Sequence, residues 1–189
     1  MRLLSAGFAV IAALASQPAL AQTLALVGAG NQIGLLVGST GGTVDTVNFN
    51  FSSQPVGTAV PQSGAAIPIE IALFSKGGAA SAARVVSLTA SPAVASASGL
   101  TSGANVVPWT EISWTVASIV SSVGTTTVIG PAAGSFPATG PTTTLISLQC
   151  TTPSTYCYVH ADYTFSYKNT NVVPAGTYTG VIVYTVSML

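Results

Sequence analysis

The sequence predicts an all-β protein built as a sandwich of two sheets, and three observations support this fold class. About eight or nine short segments alternate between apolar and polar residues, as strands with one buried face do. Glycine- and proline-rich turns separate these segments at short intervals. No segment after residue 21 shows the three- to four-residue periodicity of an amphipathic helix. Short, regularly spaced strands of this kind are typical of β-sandwiches.

The first 21 residues have the features of a secretory signal peptide. One charge, Arg2, precedes an apolar run over residues 8–15, and Ala19-Leu20-Ala21 has the small-x-small pattern of a cleavage site. The run is shorter than the roughly 20 residues that cross a bilayer, and Pro18 interrupts it. We therefore expect export, cleavage after Ala21 and no transmembrane segment in the mature chain.

Residues 22–42 form a Gly-rich, apolar N-terminal arm that either pairs as strands or lies extended. Its apolar positions are Leu24, Leu26, Ile33, Leu35 and Val37. The spacing of Gly28, Gly30 and Gly34 is similar to a dinucleotide-binding fingerprint but is one residue too long, and no helical pattern follows it. We expect no bound cofactor, and we place the sandwich domain at residues 43–189.

The first half of that domain contains three predicted strands. Residues 44–51 alternate cleanly, residues 54–66 form a proline-containing loop, and residues 68–74 alternate again. The second of these strands points Ile67, Ile69, Ile71 and Leu73 to the core and Glu70 to the solvent. Residues 83–90 form a third strand, and the small-residue stretch 91–104 carries no readable pattern.

The second half contains further strands at residues 110–116, 125–129, 142–150, 158–167 and 173–189. In the first of them, alternation places Trp114 in the core and Glu111 on the solvent face. We therefore expect Glu70 and Glu111 both to be solvated, whereas Trp114 should be buried.

Charged residues are few, at 4% of the chain, against roughly a quarter in ordinary soluble domains. Cleavage after Ala21 removes Arg2 and leaves three basic and four acidic residues: Lys76, Arg84, Lys168, Asp45, Glu70, Glu111 and Asp162. A surface with so little charge lacks the repulsion that keeps monomers apart, which favours self-association. The scattered basic residues argue against nucleic acid as a partner.

His160 and Asp162 are the strongest candidates for catalytic chemistry, because they share one face of the strand at 158–167. No nucleophile completes the pair by spacing, so a solvent-facing polar row is the favoured interpretation and we assign no catalytic residue. A single histidine and isolated carboxylates also supply too few ligands for a metal site. Trp109 is the aromatic residue most suited to an exposed ligand platform, because it is predicted on the face opposite Trp114.

The two cysteines, Cys150 and Cys157, flank a Pro-Ser turn. An even cysteine count in an exported chain indicates one local disulfide, here closing a hairpin over residues 142–167.

The C-terminal segment alternates Tyr178, Gly180, Ile182, Tyr184, Val186 and Met188 with Thr, Val and Ser residues after the turn at Pro174-Ala-Gly176. This pattern resembles the closing strand of bacterial fimbrial and pilin-like subunits. The resemblance implies an immunoglobulin-like sandwich, export through the periplasm to the cell surface, and assembly by donor-strand exchange into a homopolymer. It makes the arm residues Leu24, Leu26, Ile33, Leu35 and Val37 the polymerisation surface. It also allows for a periplasmic chaperone or assembly platform as a further partner.

A second hypothesis comes from a different functional class. A monomeric binding module of the cell surface or periplasm would recognise a sugar or peptide through aromatic and polar loop groups, and an exposed patch around Trp109 would be its distinguishing feature. Neither hypothesis is an enzyme.

Overall fold

The computed structural model describes residues 32–38, 47–50, 54–74, 84–122, 126–129, 132–138, 142–150 and 156–188. These residues contain twelve β-strands, two short 3-10 turns and no α-helix, which confirms the all-β prediction. The strands are β1 (Gln32–Val37), β2 (Val60–Pro61), β3 (Ile67–Phe74), β4 (Arg84–Pro92), β5 (Leu100–Ser102), β6 (Asn105–Val107), β7 (Ile112–Ser122), β8 (Thr126–Ile129), β9 (Gly134–Ser135), β10 (Thr143–Cys150), β11 (Tyr156–Tyr167) and β12 (Ile182–Met188). The 3-10 turns are Val94–Ser96 and Trp109–Glu111.

Two antiparallel sheets form the two layers of the molecule. The first sheet has the order β1-β3-β11-β7-β9, with β2 paired to the end of β11. The second sheet has the order β12-β4-β10-β8. A small β5-β6 ladder lies at one end, where Thr101 forms a bridge to Thr179 just ahead of β12.

The core lies between the inward faces of the two sheets. The first sheet contributes alternate residues of β3 and β11, including Ile69, Ile71 and Val159, and the second sheet contributes alternate residues of β4 and β10, including Leu88 and Leu148. Burying each such side chain contributes roughly 1.5–3 kcal/mol. Period-two alternation therefore predicted the inward faces of β3 and β11 correctly.

Aromatic rings fill one end of this core. Trp114 is buried as predicted, and Phe136 lies edge-on between it and Trp109, with ring centroids 5.3 and 5.5 Å away. A Cβ on Gly134 would come within 2.9 Å of the Trp114 ring, so only glycine fits at this position of β9. The Tyr163 hydroxyl crosses between the layers and donates to the Leu145 carbonyl at 2.9 Å.

The prediction for Glu111 is wrong, because this residue is only 6% exposed. Strand alternation does not extend back from Ile112, since residues Trp109–Glu111 form a 3-10 turn closed by the Glu111 N–H donating to the Pro108 carbonyl. The Glu111 carboxylate accepts hydrogen bonds from the Thr170 amide at 2.9 Å and the Thr170 hydroxyl at 2.5 Å. It therefore anchors the chain where β11 leaves the first sheet.

The expected arm also needs correction, because part of it belongs to the sandwich. Residues Gln32–Val37 form β1 and pair with β3 in continuous register, with Leu35 opposite Ile71. Ile33, Leu35 and Val37 point to the core of their own chain. Leu24 and Leu26 lie outside the described residues, as does the predicted signal peptide.

The predicted hairpin over residues 142–167 does not form. β10 belongs to the second sheet and β11 to the first, so the chain crosses between layers after Cys150. Cys157 is buried on the inward face of β11, and Cys150 ends β10 opposite Arg84 and Thr126. A bond between these cysteines stays a prediction.

The last strand is shorter than predicted, because β12 begins only at Ile182. Ahead of it the chain passes closely over the aromatic end of the core, where a Cβ on Gly180 would lie 2.7 Å from Leu100 and 2.9 Å from Trp109. Pairing with β4 begins only two residues later, at Ile182.

Two core-facing tyrosines predict a stability loss at alkaline pH. Burial raises the pKa of Tyr184 to about 12. Burial, and then the negative charge of an ionised Tyr184 nearby, raise the pKa of Tyr163 above its ordinary value. Unfolded tyrosines titrate near pH 10, so the folded state holds these protons more tightly. The resulting stability is fully present below about pH 10 and is lost as the pH rises through about 12.

Denaturant unfolding measured across that pH range, with phenolate absorbance recorded in parallel, tests this expectation. Tyr184→Phe should lose less stability than the wild type over the same interval. An identical loss in the two proteins would contradict the assignment to Tyr184.

Candidate functional site

The most prominent polar feature is a cluster of Glu70, His160 and Asp162 on the outer face of the first sheet. Register places Glu70 of β3 directly opposite His160 of β11, and Asp162 follows two residues later on the same face. The His160 Nδ1 lies 3.1 Å from the Glu70 Oε1, and the Nε2 lies 3.2 Å from the Asp162 Oδ1. All three side chains are half-buried.

The number of protons bound to the three side chains determines which of their contacts are hydrogen bonds. An ionised carboxylate only accepts hydrogen bonds, whereas a neutral imidazole carries a single N–H. With a carboxylate against each ring nitrogen, the two contacts are both hydrogen bonds only when two protons are held among the three groups. The Glu70–His160 contact joins β3 to β11, and we call it the clamp.

The same geometry limits what His160 can do. A general base needs a free ring nitrogen within reach of its proton donor, and here both nitrogens face carboxylates. The two ring nitrogens also point in opposite directions, so one metal ion could take only one nitrogen and one carboxylate. Correspondingly, the described residues contain no group of three His, Cys, Asp or Glu side chains arranged for a metal ion.

A second feature is the pair of sheet edges at one side of the sandwich, formed by β1 and β12. β1 ends the first sheet and β12 ends the second, and residues of the two strands contact each other. Their inward side chains are only partly buried: Ile33, Leu35, Val37, Ile182, Tyr184, Val186 and Met188. This side of the core is covered less completely than its centre.

The outer edge of β12 pairs with no described strand, and it lacks the features that usually protect an edge. Its seven residues include no charge and no proline, and its register with β4 runs without a shift from Ile182 to Met188. Natural edge strands are commonly blunted by charges, prolines, bulges or short length. β7 has such a bulge at Ser118, whose φ is +53°, and β8 has only four residues.

The structure places the predicted site residues as follows. Ile33, Leu35 and Val37 are brought next to β12, whereas Trp109 is buried and its Nε1–H donates to the Ser96 carbonyl at 2.6 Å. An exposed ligand platform at Trp109 is therefore ruled out. The Glu70–His160 contact was missed because pairing between strands 90 residues apart leaves no local sequence signal.

No protein-family model, no curated protein and no solved structure matches the chain. Among the described residues, no helix is both long and apolar enough to cross a membrane.

The clamp predicts a measurable coupling between Glu70 and His160. Glu70→Gln should lower the free energy of unfolding by about 0.5–1 kcal/mol, as expected for a partly exposed ion pair. In a His160→Ala background the same change should be neutral or stabilising, because Glu70 then has only the like charge of Asp162 nearby. Urea unfolding of the double-mutant cycle measures the coupling.

Thr164→Ala, on the same face of β11, is the matched control and should not couple to Glu70. Additive effects of Glu70→Gln and His160→Ala would show that the contact does not stabilise the fold.

Proposed function

We propose that the protein is a structural subunit of an extracellular filament that assembles by β-strand addition. The observation that carries this proposal is the outer edge of β12, which is uncharged, free of prolines and bulges, and next to a partly buried core row. An edge of this kind provides backbone donors and acceptors for an incoming strand, and the partly buried core row provides sites for its alternate side chains.

The incoming strand in this proposal is residues 22–31 of a neighbouring copy, upstream of β1. Leu24 and Leu26 alternate there with smaller residues, as a strand with one buried face requires. In extended conformation ten residues reach about 33 Å. The seven residues of β12 span about 24 Å, so this segment is long enough to cover the edge.

Compartment and partners complete the proposal. The predicted signal peptide accounts for export, and a cell-surface location follows from assembly outside the cell. The low charge of the chain removes one barrier to self-association. A periplasmic chaperone or assembly platform that covers β12 before polymerisation would prevent premature edge pairing.

A disulfide between Cys150 and Cys157 fits this extracellular setting. Because β10 and β11 lie in different sheets, the bond would tie the two layers together where the chain crosses between them. The short loop that it closes contributes about 2 kcal/mol on the chain-entropy model.

The alternative of a monomeric sugar- or peptide-binding module has lost its distinguishing feature, since Trp109 is 5% exposed. No described aromatic cluster replaces it on the surface, because the exposed large apolar residues are all Val or Ile.

Replacing Leu24 and Leu26 with Asp tests the proposed donor strand. In mature protein from residue 22, we expect filaments to be lost from electron micrographs, with the thermal unfolding midpoint of the monomer unchanged. Leu35→Asp is the contrasting variant, because it places a charge on the core face of β1 and should unfold the monomer.

Loss of monomer stability in the Leu24/Leu26 variant would show that this segment is internal to its own chain. Wild-type protein that stays monomeric at high concentration would contradict the filament proposal itself.

A further inference from the structure

We infer that subunits stack end to end, and that a set of exposed valines at one end of the sandwich docks on the opposite end of a second copy. This inference rests on the proposed function and names the second contact that a filament of this kind needs.

Five valines, which we call the valine end, are exposed near the end of β11 and the start of β12, on loops, a 3-10 turn and the short strand β6: Val56, Val94, Val106, Val172 and Val181. They make up five of the eight exposed large apolar residues in the described part of the chain. Val94 and Val172 are 96% and 85% exposed, so neither contributes to its own core.

Hydrogen bonds bring the segments that carry these valines to one end of the molecule. The Ala93 amide donates to the Val181 carbonyl at 2.8 Å, which joins the turn after β4 to the start of β12. The Gly57 amide donates to the Asn169 carbonyl at 2.7 Å, which joins the loop before β2 to the chain after β11. The Thr101–Thr179 bridge brings in the β5-β6 ladder that carries Val106.

The charge at this end selects the class of partner. Its described charged residues are Glu111, which is buried, and Lys168, whose ammonium donates to the Thr110 carbonyl at 2.7 Å. A membrane surface would be recognised by exposed basic and aromatic side chains, and the described residues at this end present none. An uncharged protein surface fits better, and this charge-poor chain offers one in every copy.

The directions of β1 and β12 determine which end of the second copy contacts the valine end. β1 begins at Gln32 opposite Phe74, beside the start of β11, which is the end of the sandwich opposite the valine end. The proposed donor strand, residues 22–31, directly precedes this residue in the sequence. β12 starts at the valine end and runs away from it. In the proposed filament, the valine end of the second copy rests on the end of the first copy from which the donor strand leaves. The donor strand of the first copy then meets β12 of the second copy at Ile182, the first residue of β12. It runs antiparallel to β12.

The half of the first sheet nearest the receiving end has exposed apolar residues of its own. Ile119 and Val120 lie on β7 past the bulge at Ser118, in the half of the first sheet that holds the start of β11. Both remain exposed in the single chain. Contact between these residues and the valine end would bury apolar surface on both copies.

A pair of charge insertions tests this contact in the mature protein. Val94→Lys/Val172→Lys should raise the concentration at which assembly is half complete by about tenfold or more, because two charges would be desolvated at the contact. Val94→Thr/Val172→Thr keeps side-chain shape and net charge and should shift assembly in the same direction by a smaller factor. Light scattering over a dilution series measures the shift.

The control is Thr115→Lys/Thr144→Lys, which adds the same charge at exposed positions on the outer sheet faces. We expect it to change the half-assembly concentration by less than about threefold. Assembly of the valine variant at the wild-type concentration, or an equal shift in the control, would overturn the end-to-end contact while leaving strand addition intact. Wild-type protein that never assembles would overturn both.

Discussion

The pairing of β11 with strands on both of its sides is the interaction on which the rest of the structure depends. β11 is the longest strand, with twelve residues, and it holds β3 along one side and β7 along the other. Its inward face is buried from Cys157 to Tyr167, and the Tyr163 hydroxyl reaches across to the second sheet. Its outward face brings His160 to Glu70, and its end is fixed by the buried carboxylate of Glu111.

β12, in contrast, pairs with a described strand on one side only, where it is hydrogen-bonded to β4. In the first sheet, β11 is paired on both sides. In the second sheet, β12 is an uncharged edge strand beside a half-buried apolar row. An edge without protective residues is an aggregation hazard in a monomer but is useful in a subunit that must bind another copy. The lack of charge over the whole chain, which gives little repulsion between copies, is consistent with the same role.

Much of the fold could be predicted because period-two alternation is a local property. It identified the inward faces of β3 and β11 and the burial of Trp114 without any knowledge of the partners. Pairing is not local, so the Glu70–His160 contact and the separation of β10 and β11 into different sheets could not be read from spacing. Errors also arose where regular alternation stopped, at the 3-10 turn that buries Glu111 and at the close approach of Gly180 to Trp109. The β12 edge did leave a signal, since the last strand contains neither charge nor proline.

Amide hydrogen exchange in β12, compared between monomer and assembled protein, tests the central claim most directly. In the monomer, alternate amides of Ile182–Met188 point away from β4 and pair with no described strand, so they should exchange rapidly. Strand addition should protect these amides on assembly, while the amides already bonded to β4 change little. Assemblies in which the outward amides of β12 exchange as fast as in the monomer would contradict strand addition at this edge.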